Sequence, residues 1–253
     1  MLTIIDADSL LYYSSKDTIV ESVSEIENRL ETILNRTNAD KFIICISSSN
    51  YYRKEVEPEY KAKRLPTTLK YVQTLKQYLF ETYKVLSISK LEADDLMGIL
   101  PTKATLIDQE ITISSPDKDV LKQLPGKHYD YYKDEFVKTT TTEGIDFLFT
   151  QLITGDSTDG IKGIPGKGPA FAKKVIKPGK LEENLMNTFK AYIDHYGNIP
   201  LGIKKFYTNF IQVYILRSQS DITEFIDLTS EINWEEFDLN LFINPYTKTK
   251  KEW

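Results

Sequence analysis

The sequence predicts an α/β fold: a central, mainly parallel sheet with flanking helices, followed by a C-terminal helical part. Three observations carry this. Short apolar runs alternate with stretches of helical periodicity over the first 150 or so of the 253 residues. Strand, helix, strand in that order implies parallel pairing with a right-handed crossover. Beyond that point the strands give out, and a Gly- and Asp-rich stretch leads into further helical patterns.

In order, Leu2 to Ile5 reads as a short buried strand that ends at Asp6-Ala7-Asp8. Val23, Ile26, Leu30, Ile33 and Leu34 recur at helical spacing and predict a helix over about 21–36. Lys41 to Ile46 is a second apolar strand. In such sheets the site lies beyond the carboxyl ends of the strands, which places Asp6 there. Ser47 to Leu65 is polar and charged, with Arg53, Lys54, Lys61, Lys63 and Arg64 interleaved with Tyr51, Tyr52 and Tyr60. Pro66 predicts a helix start, with Leu69, Val72, Leu75 and Leu79 on its inner stripe. Val85 to Ile88 is a third strand and Ile111 to Ser114 a fourth. A hairpin around Lys133-Asp134-Glu135 joins His128–Tyr132 to Phe136–Thr139, and Glu143 to Ile153 is helical. Helices are expected at about 169–176, 182–195 and 203–217, and the tail from Asp221 has no assigned element. The expected division is an α/β core over 1–150, with the charged segment at about 47–66, and a helical part over 151–253 packed on it.

Composition narrows the chemistry. With 41% apolar and 12% aromatic residues there is enough for a real core. The longest apolar runs are too short to span a bilayer, and Met1 to Asp6 lacks the basic and apolar regions of a signal peptide. A cytoplasmic location without membrane contact is the expectation. One cysteine, Cys45, excludes an internal disulfide, and two histidines argue against a zinc site of His and Cys ligands. Any metal should be a hard ion held by oxygens, Mg²⁺ or Mn²⁺. The net charge of −5 does not exclude a nucleic-acid partner. Setting aside nine clustered candidates (Asp6, Asp8, Glu92, Asp94, Asp95, Asp117, Asp119, Asp156 and Asp159) leaves roughly +4 for the remainder (−5 + 9).

Those carboxylates are the functional signal. Glu92-Ala93-Asp94-Asp95 heads an apolar helical run, with Glu92 and Asp95 on one face and Asp94 turned about a hundred degrees away. Taken alone, acidic residues in a first turn equally suit the helix dipole. Asp117/Asp119, Asp156/Asp159 and Asp6 change the balance, because gathered like charges are unstable unless metal neutralises them. Gly155 to Gly168 adds a tight Gly163-Ile-Pro-Gly166-Lys167-Gly168 turn between helices, where exposed backbone N–H groups can grip phosphate. A Gly/Pro linker with an Asp cap explains either half of that stretch, but not why the halves adjoin.

In these ordered blocks, over most of residues 1–216, the chain resembles the structure-specific 5′-nuclease family. That family comprises flap endonucleases, bacteriophage 5′-3′ exonucleases and the 5′-nuclease domains of bacterial DNA polymerases. Asp6 resembles its first metal-binding aspartate, and Arg53 with Tyr60-Lys61-Ala-Lys-Arg64 its arch segment. Glu92/Asp94/Asp95, Asp117/Asp119 and Asp156/Asp159 match its acidic blocks. The resemblance implies a PIN-like core and a helix–three-turn–helix over about 152–176. It implies two divalent ions: Glu92, Asp94 and Asp117 nearest the first, Asp6 and Asp95 near it or bridging, and Asp119, Asp156 and Asp159 holding the second. Lys61 and Arg64 would reach the scissile phosphate, and Tyr60 would stack on an unpaired base. Arg53 and the Gly163–Gly168 turn would contact DNA, the turn through a potassium ion. The implied activity is hydrolysis of DNA at 5′ ends, nicks or flaps by a monomer. The rivals are removal of RNA from RNA–DNA hybrids and a DNA-binding relative without catalysis. One departure stands out: Ser47-Ser48-Ser49 replaces an aspartate that many relatives carry after the second strand, with Asp8 the candidate substitute.

Overall fold

The computed structural model describes residues 1–62, 69–103, 106, 109–218, 220–221 and 238–247. At its centre is β1 (Leu2–Asp6), flanked in parallel by β2 (Lys41–Cys45) on one side and β4 (Ile111–Ser114) on the other. The sheet runs β3-β2-β1-β4-β5-β6, where β3 is Val85–Leu86, β5 Gly126–Asp130 and β6 Glu135–Thr139. β1 to β5 are parallel, and β6 closes the edge as the antiparallel arm of a hairpin. The chain moves outward from β1 through β2 to β3 and then resumes on the other side of β1 with β4. β1 and β4 therefore flank the point where strand order reverses, the place where open α/β sheets bind ligands.

Side chains alternate across the pleat. Leu2, Ile4, Ile43 and Cys45 enter a core shared with α5 (Ala93–Ile99). Ile5, Phe42 and Ile44 enter another shared with α1 (Ala7–Ser14), α2 (Ile19–Arg36) and α4 (Val72–Thr82). Several elements depart from the periodicity reading. α1 starts where no helix was expected: Asp6 caps it by accepting from the N–H groups of Asp8 and Ser9. Its buried face, Ala7, Leu10, Leu11 and Ser14, has the i, i+3, i+4, i+7 spacing of a helix. α4 begins at Val72 rather than Pro66, and residues 63–68 lie outside the described ones.

α3 (Arg53–Val56) is a single turn in the charged segment, and α6 (Lys118–Gln123) follows β4. α7 (Thr141–Thr154) opens with a capping box between Thr140 and Glu143. With α8 (Pro169–Val175), α9 (Leu181–Tyr196) and α10 (Ile199–Val213) it builds a third core around Tyr192 and Phe206. α10 starts earlier than expected because Asn198 caps it and Pro200 occupies its first turn. The C-terminal part is not wholly helical. β7 (Asn244–Pro245) returns to pair antiparallel with β2, so the tail is stitched to the first sheet.

Candidate active site

Asp6 ends β1, and Asp117 caps α6 just after β4, so the switch point itself brings these two carboxylates side by side. Asp6 is 2% exposed, and its second oxygen accepts from the Ser115 hydroxyl at 2.8 Å. Burial, then the charges of Asp8 and Asp117, raise its pKa to about 6. Asp94, in the first turn of α5, is pushed well above the carboxylate range by burial and by Asp117 and Asp6. Asp119 rises to about 7, through burial and Asp117, with Asp156 and Asp159 adding to it. The strands and helix starts thus gather more negative charge than the local cations offset.

Glu92 and Asp156 have cations of their own. Burial would raise Glu92, but Lys61 and Arg53 outweigh it and hold its pKa below the ordinary value. Lys61 Nζ sits 2.5 Å from Glu92 and 3.8 Å from Asp159. Its backbone is left-handed, φ 55°, a conformation that costs a non-glycine residue about 1–2 kcal/mol. Contacts that include its N–H to the Asp159 carbonyl at 2.8 Å hold it there. Lys118 Nζ lies 2.6 Å from Asp156, whose pKa it lowers against the effect of burial. Glu92, Asp94, Asp119 and Asp159 line one small cavity of about 20 Å³, together with Arg53 and Gln151.

Among the described residues, no three carboxylates converge on one point as a finished coordination shell. Like charges repel, and each side chain has turned to a nearby donor: Asp6 to Ser115, Glu92 to Lys61, Asp119 to Gln151, Asp156 to Lys118. The donor set is nevertheless all hard oxygen around a charge deficit, which suits Mg²⁺ or Mn²⁺.

Three expected contacts look inward instead. Arg53, predicted to meet DNA, is 2% exposed. Its Nη1 and Nη2 grip Asp95 bidentately at 2.7 Å each, Nη1 also reaches Glu92 at 2.8 Å, and the Gln212 and Tyr214 carbonyls accept the rest. Asp95, predicted as a metal ligand, is 0% exposed and also accepts from the Glu92 and Leu216 N–H groups, so its oxygens are committed to the protein. Tyr60, expected to stack on a base, is buried with its hydroxyl 3.2 Å from Glu92 and its ring edge-on to Tyr51. Arg64 lies outside the described residues.

Ser47 has a defined place despite the missing aspartate. Its N–H donates to the Asp8 carboxylate, and its hydroxyl accepts from Ala93 N–H at 2.9 Å, tying β2 to the head of α5. Asp8 thus stands at the expected departure, with its pKa raised by burial. In the Gly-rich turn, Gly163 has φ 59°, and a Cβ there would meet Gly155 N at 2.4 Å, so only glycine fits. Gly166 and Gly168 open onto free space, and Lys167 lies over the Phe171 ring. Gln151 and Gln123 were not singled out by the sequence reading, because neutral amides carry no pattern. Among the described residues, no helix is long and apolar enough to cross a membrane.

The family model "5′-3′ exonuclease, N-terminal resolvase-like domain" matches residues 1–147. A 5′-3′ exonuclease of Buchnera aphidicola is 29% identical over 225 residues, 80% of this chain and 76% of that protein. A flap endonuclease Xni of Shewanella halifaxensis is 32% identical over 149 residues, 54% of this chain and 59% of that protein. The exodeoxyribonuclease of Enterobacteria phage T3 is 36% identical over 134 residues, 50% of this chain and 43% of that protein, so the match spans less than half of that relative. The fold is shared with a bacteriophage T5 protein co-crystallised with metal ions (TM-score 0.63, 19% identity, 84% of this chain and 88% of that one). The catalytic core of Rad2 in complex with DNA also shares it (TM-score 0.52, 15% identity, 97% of this chain and 81% of that one). With a family model matching more than half its length and a switch-point carboxylate cluster, the chain belongs to the 5′-3′ exonuclease family of nucleases.

Proposed function

We propose that the protein hydrolyses DNA phosphodiesters at 5′ ends, nicks or flaps with Mg²⁺ or Mn²⁺, through Asp6, Glu92, Asp94, Asp117, Asp119, Asp156 and Asp159. The observation that carries this is the gathering of carboxylates at the switch point, with Asp6 at the end of β1, Asp117 just after β4, and Glu92, Asp94, Asp119 and Asp159 around one cavity. Burial and like charge there push the pKa of Asp6 up to about 6 and that of Asp119 up to about 7. Asp95 leaves the ligand set, since Arg53 saturates it. Bound divalent ions would supply activation of the attacking water and neutralisation of the leaving oxygen. The chain's own part is to present the carboxylates from the end of β1, the starts of α5 and α6 and the turn after α7, and to hold Lys61 beside Glu92, where its ammonium can turn to a phosphate oxygen. Arg64 would add a second cation to that phosphate. The exposed backbone of Gly166 and Gly168, with Lys167, would grip the duplex backbone, and a potassium ion held at this turn would add positive charge toward the phosphate. Such contacts carry no sequence information, so recognition follows DNA shape.

The test is a 5′-flapped duplex, labelled in turn at each end of the flap strand, with Mg²⁺ or EDTA. Mg²⁺-dependent cleavage near the junction, cut by orders of magnitude in Asp94→Asn, supports the reading. An RNA 5′ strand on the same template separates the ribonuclease alternative. Tight binding without cleavage in Mg²⁺ or Mn²⁺ would leave a DNA-binding relative instead.

A further inference from the structure

Asp119 is oriented differently from the lysine-held carboxylates around the cleft. Glu92 and Asp156 are held by lysines, which orient a carboxylate but also cancel the charge an ion would use. Asp119 is held by a neutral amide: Gln151 Nε2, in α7, donates to its Oδ1 at 2.8 Å, and Oδ2 accepts no hydrogen bond among the described residues. Gln151 is itself 6% exposed and oriented in turn. Its Oε1 accepts from Gln123 Nε2, in α6, at 3.3 Å. Gln123 is 0% exposed, and backbone fixes its own amide, Nε2 donating to the Val213 carbonyl at 2.9 Å and Oε1 accepting from Ile215 N–H at 2.7 Å. Flipping either amide would set donor against donor or acceptor against acceptor, so the chain end of α10 dictates which atom of Gln151 faces Asp119.

We propose that Gln151 is a positioning residue for the ion held by Asp119, with Gln123 and residues 213–215 as its fixed anchor. The inference rests on the metal-dependent reading given above. A relay of neutral amides aims Oδ2 at the cleft while leaving the carboxylate's full charge available. It also couples the ion site to the helical part, because the anchoring segment leaves α10. The same segment receives Arg53 on the Gln212 and Tyr214 carbonyls and donates Leu216 N–H to Asp95. Residues 212–216 thus tie both halves of the cluster to one strip of backbone. That strip lies so close to α5 that a Cβ on Gly98 would meet the Leu216 carbonyl oxygen at 2.0 Å.

The experiment titrates Mn²⁺ into the full chain by calorimetry, without DNA, for wild type, Gln151→Met and the shorter Gln151→Asn. Loss of a group that orients a metal ligand typically weakens metal affinity by roughly 10–100-fold. That loss is expected in one of two binding steps, with the other unchanged. On a flapped duplex, kcat should fall by a similar factor and KM stay within about twofold, a split that loosened packing alone would not give. Thermal melts identify which variants are folded, and Gln151→Asn keeps a polar side chain if methionine packs poorly. Both Mn²⁺ affinities within twofold of wild type in a folded variant would overturn the proposal while leaving the metal reading intact. No Mn²⁺ binding by wild type would overturn both.

Discussion

Replacing Arg53 with methionine keeps most of the side chain's volume and removes five hydrogen bonds: three to Asp95 and Glu92 at 2.7–2.8 Å, and two to the Gln212 and Tyr214 carbonyls at 3.1 and 2.6 Å. Asp95 and Glu92 are 0% and 5% exposed, so water cannot take over. Breaking a buried ion pair from one side costs about 3–5 kcal/mol, because the other charge stays buried. Lys61 and the Tyr60 hydroxyl still serve Glu92, and two N–H groups still serve Asp95, which favours the lower end. At ~2–4 °C per kcal/mol for a chain of this size, the melting temperature should drop by roughly 6–20 °C. Adding Asp95→Asn should recover at least about 1 kcal/mol, the signature of coupled neighbours. Thermal and urea melts measure both. Duplex binding by the folded variant, followed against salt concentration at low temperature, is the second assay. A residue that touches phosphate lowers the salt slope by about 1 when removed. A melting temperature within 2 °C of wild type, together with a reduced slope, would refute the buried-keystone reasoning and return Arg53 to the DNA surface.

Further outcomes follow from the same geometry. Asp119→Asn should abolish Mg²⁺-dependent cleavage yet stabilise the protein in EDTA. The folded carboxyl, raised to about 7, keeps its proton above the unfolded value, so wild type loses stability as pH rises from about 4 to 7 and asparagine does not. The gap in unfolding free energy from urea melts should widen from pH 5 to pH 8, reaching on the order of 1–2 kcal/mol after solvent screening; a constant gap would contradict the repulsion. Lys61→Met should lower cleavage by about 10²-fold or more while tightening Mn²⁺ binding severalfold, since the ammonium on Glu92 competes with the ion; calorimetry showing weaker binding would contradict that competition. Gly163→Ala, whose Cβ would collide with Gly155 N and the Ile153 carbonyl, should cost more than about 2 kcal/mol. Gly166→Ala, with open space and only φ 74° to strain, should cost about 1 kcal/mol, and melting curves compare the two.

The chain's local patterns were sufficient for β1 to β6, the long helices and the parallel sheet. Period and charge are properties of neighbouring residues, so β1, β2, β4 and α2 could be read directly. The acidic blocks were legible because several carboxylates at strand ends and helix starts are costly without a counter-ion. Only the tertiary structure decided what each charge faces. Arg53 and Tyr60 look like surface residues in a charged segment. They become interior because α10 and the segment after it close over them, and burial is a property of distant chain. The helical step already sets Asp95 apart from Asp94, but only the fold shows that the face of Asp95 meets Arg53 while Asp94 faces Asp6 and Asp117. The pairing of β7 with β2 and the Gln123–Gln151 relay are hydrogen bonds between residues at least 28 apart. Neutral groups joined at that separation leave no periodic or charge signature, so only the folded chain reveals them.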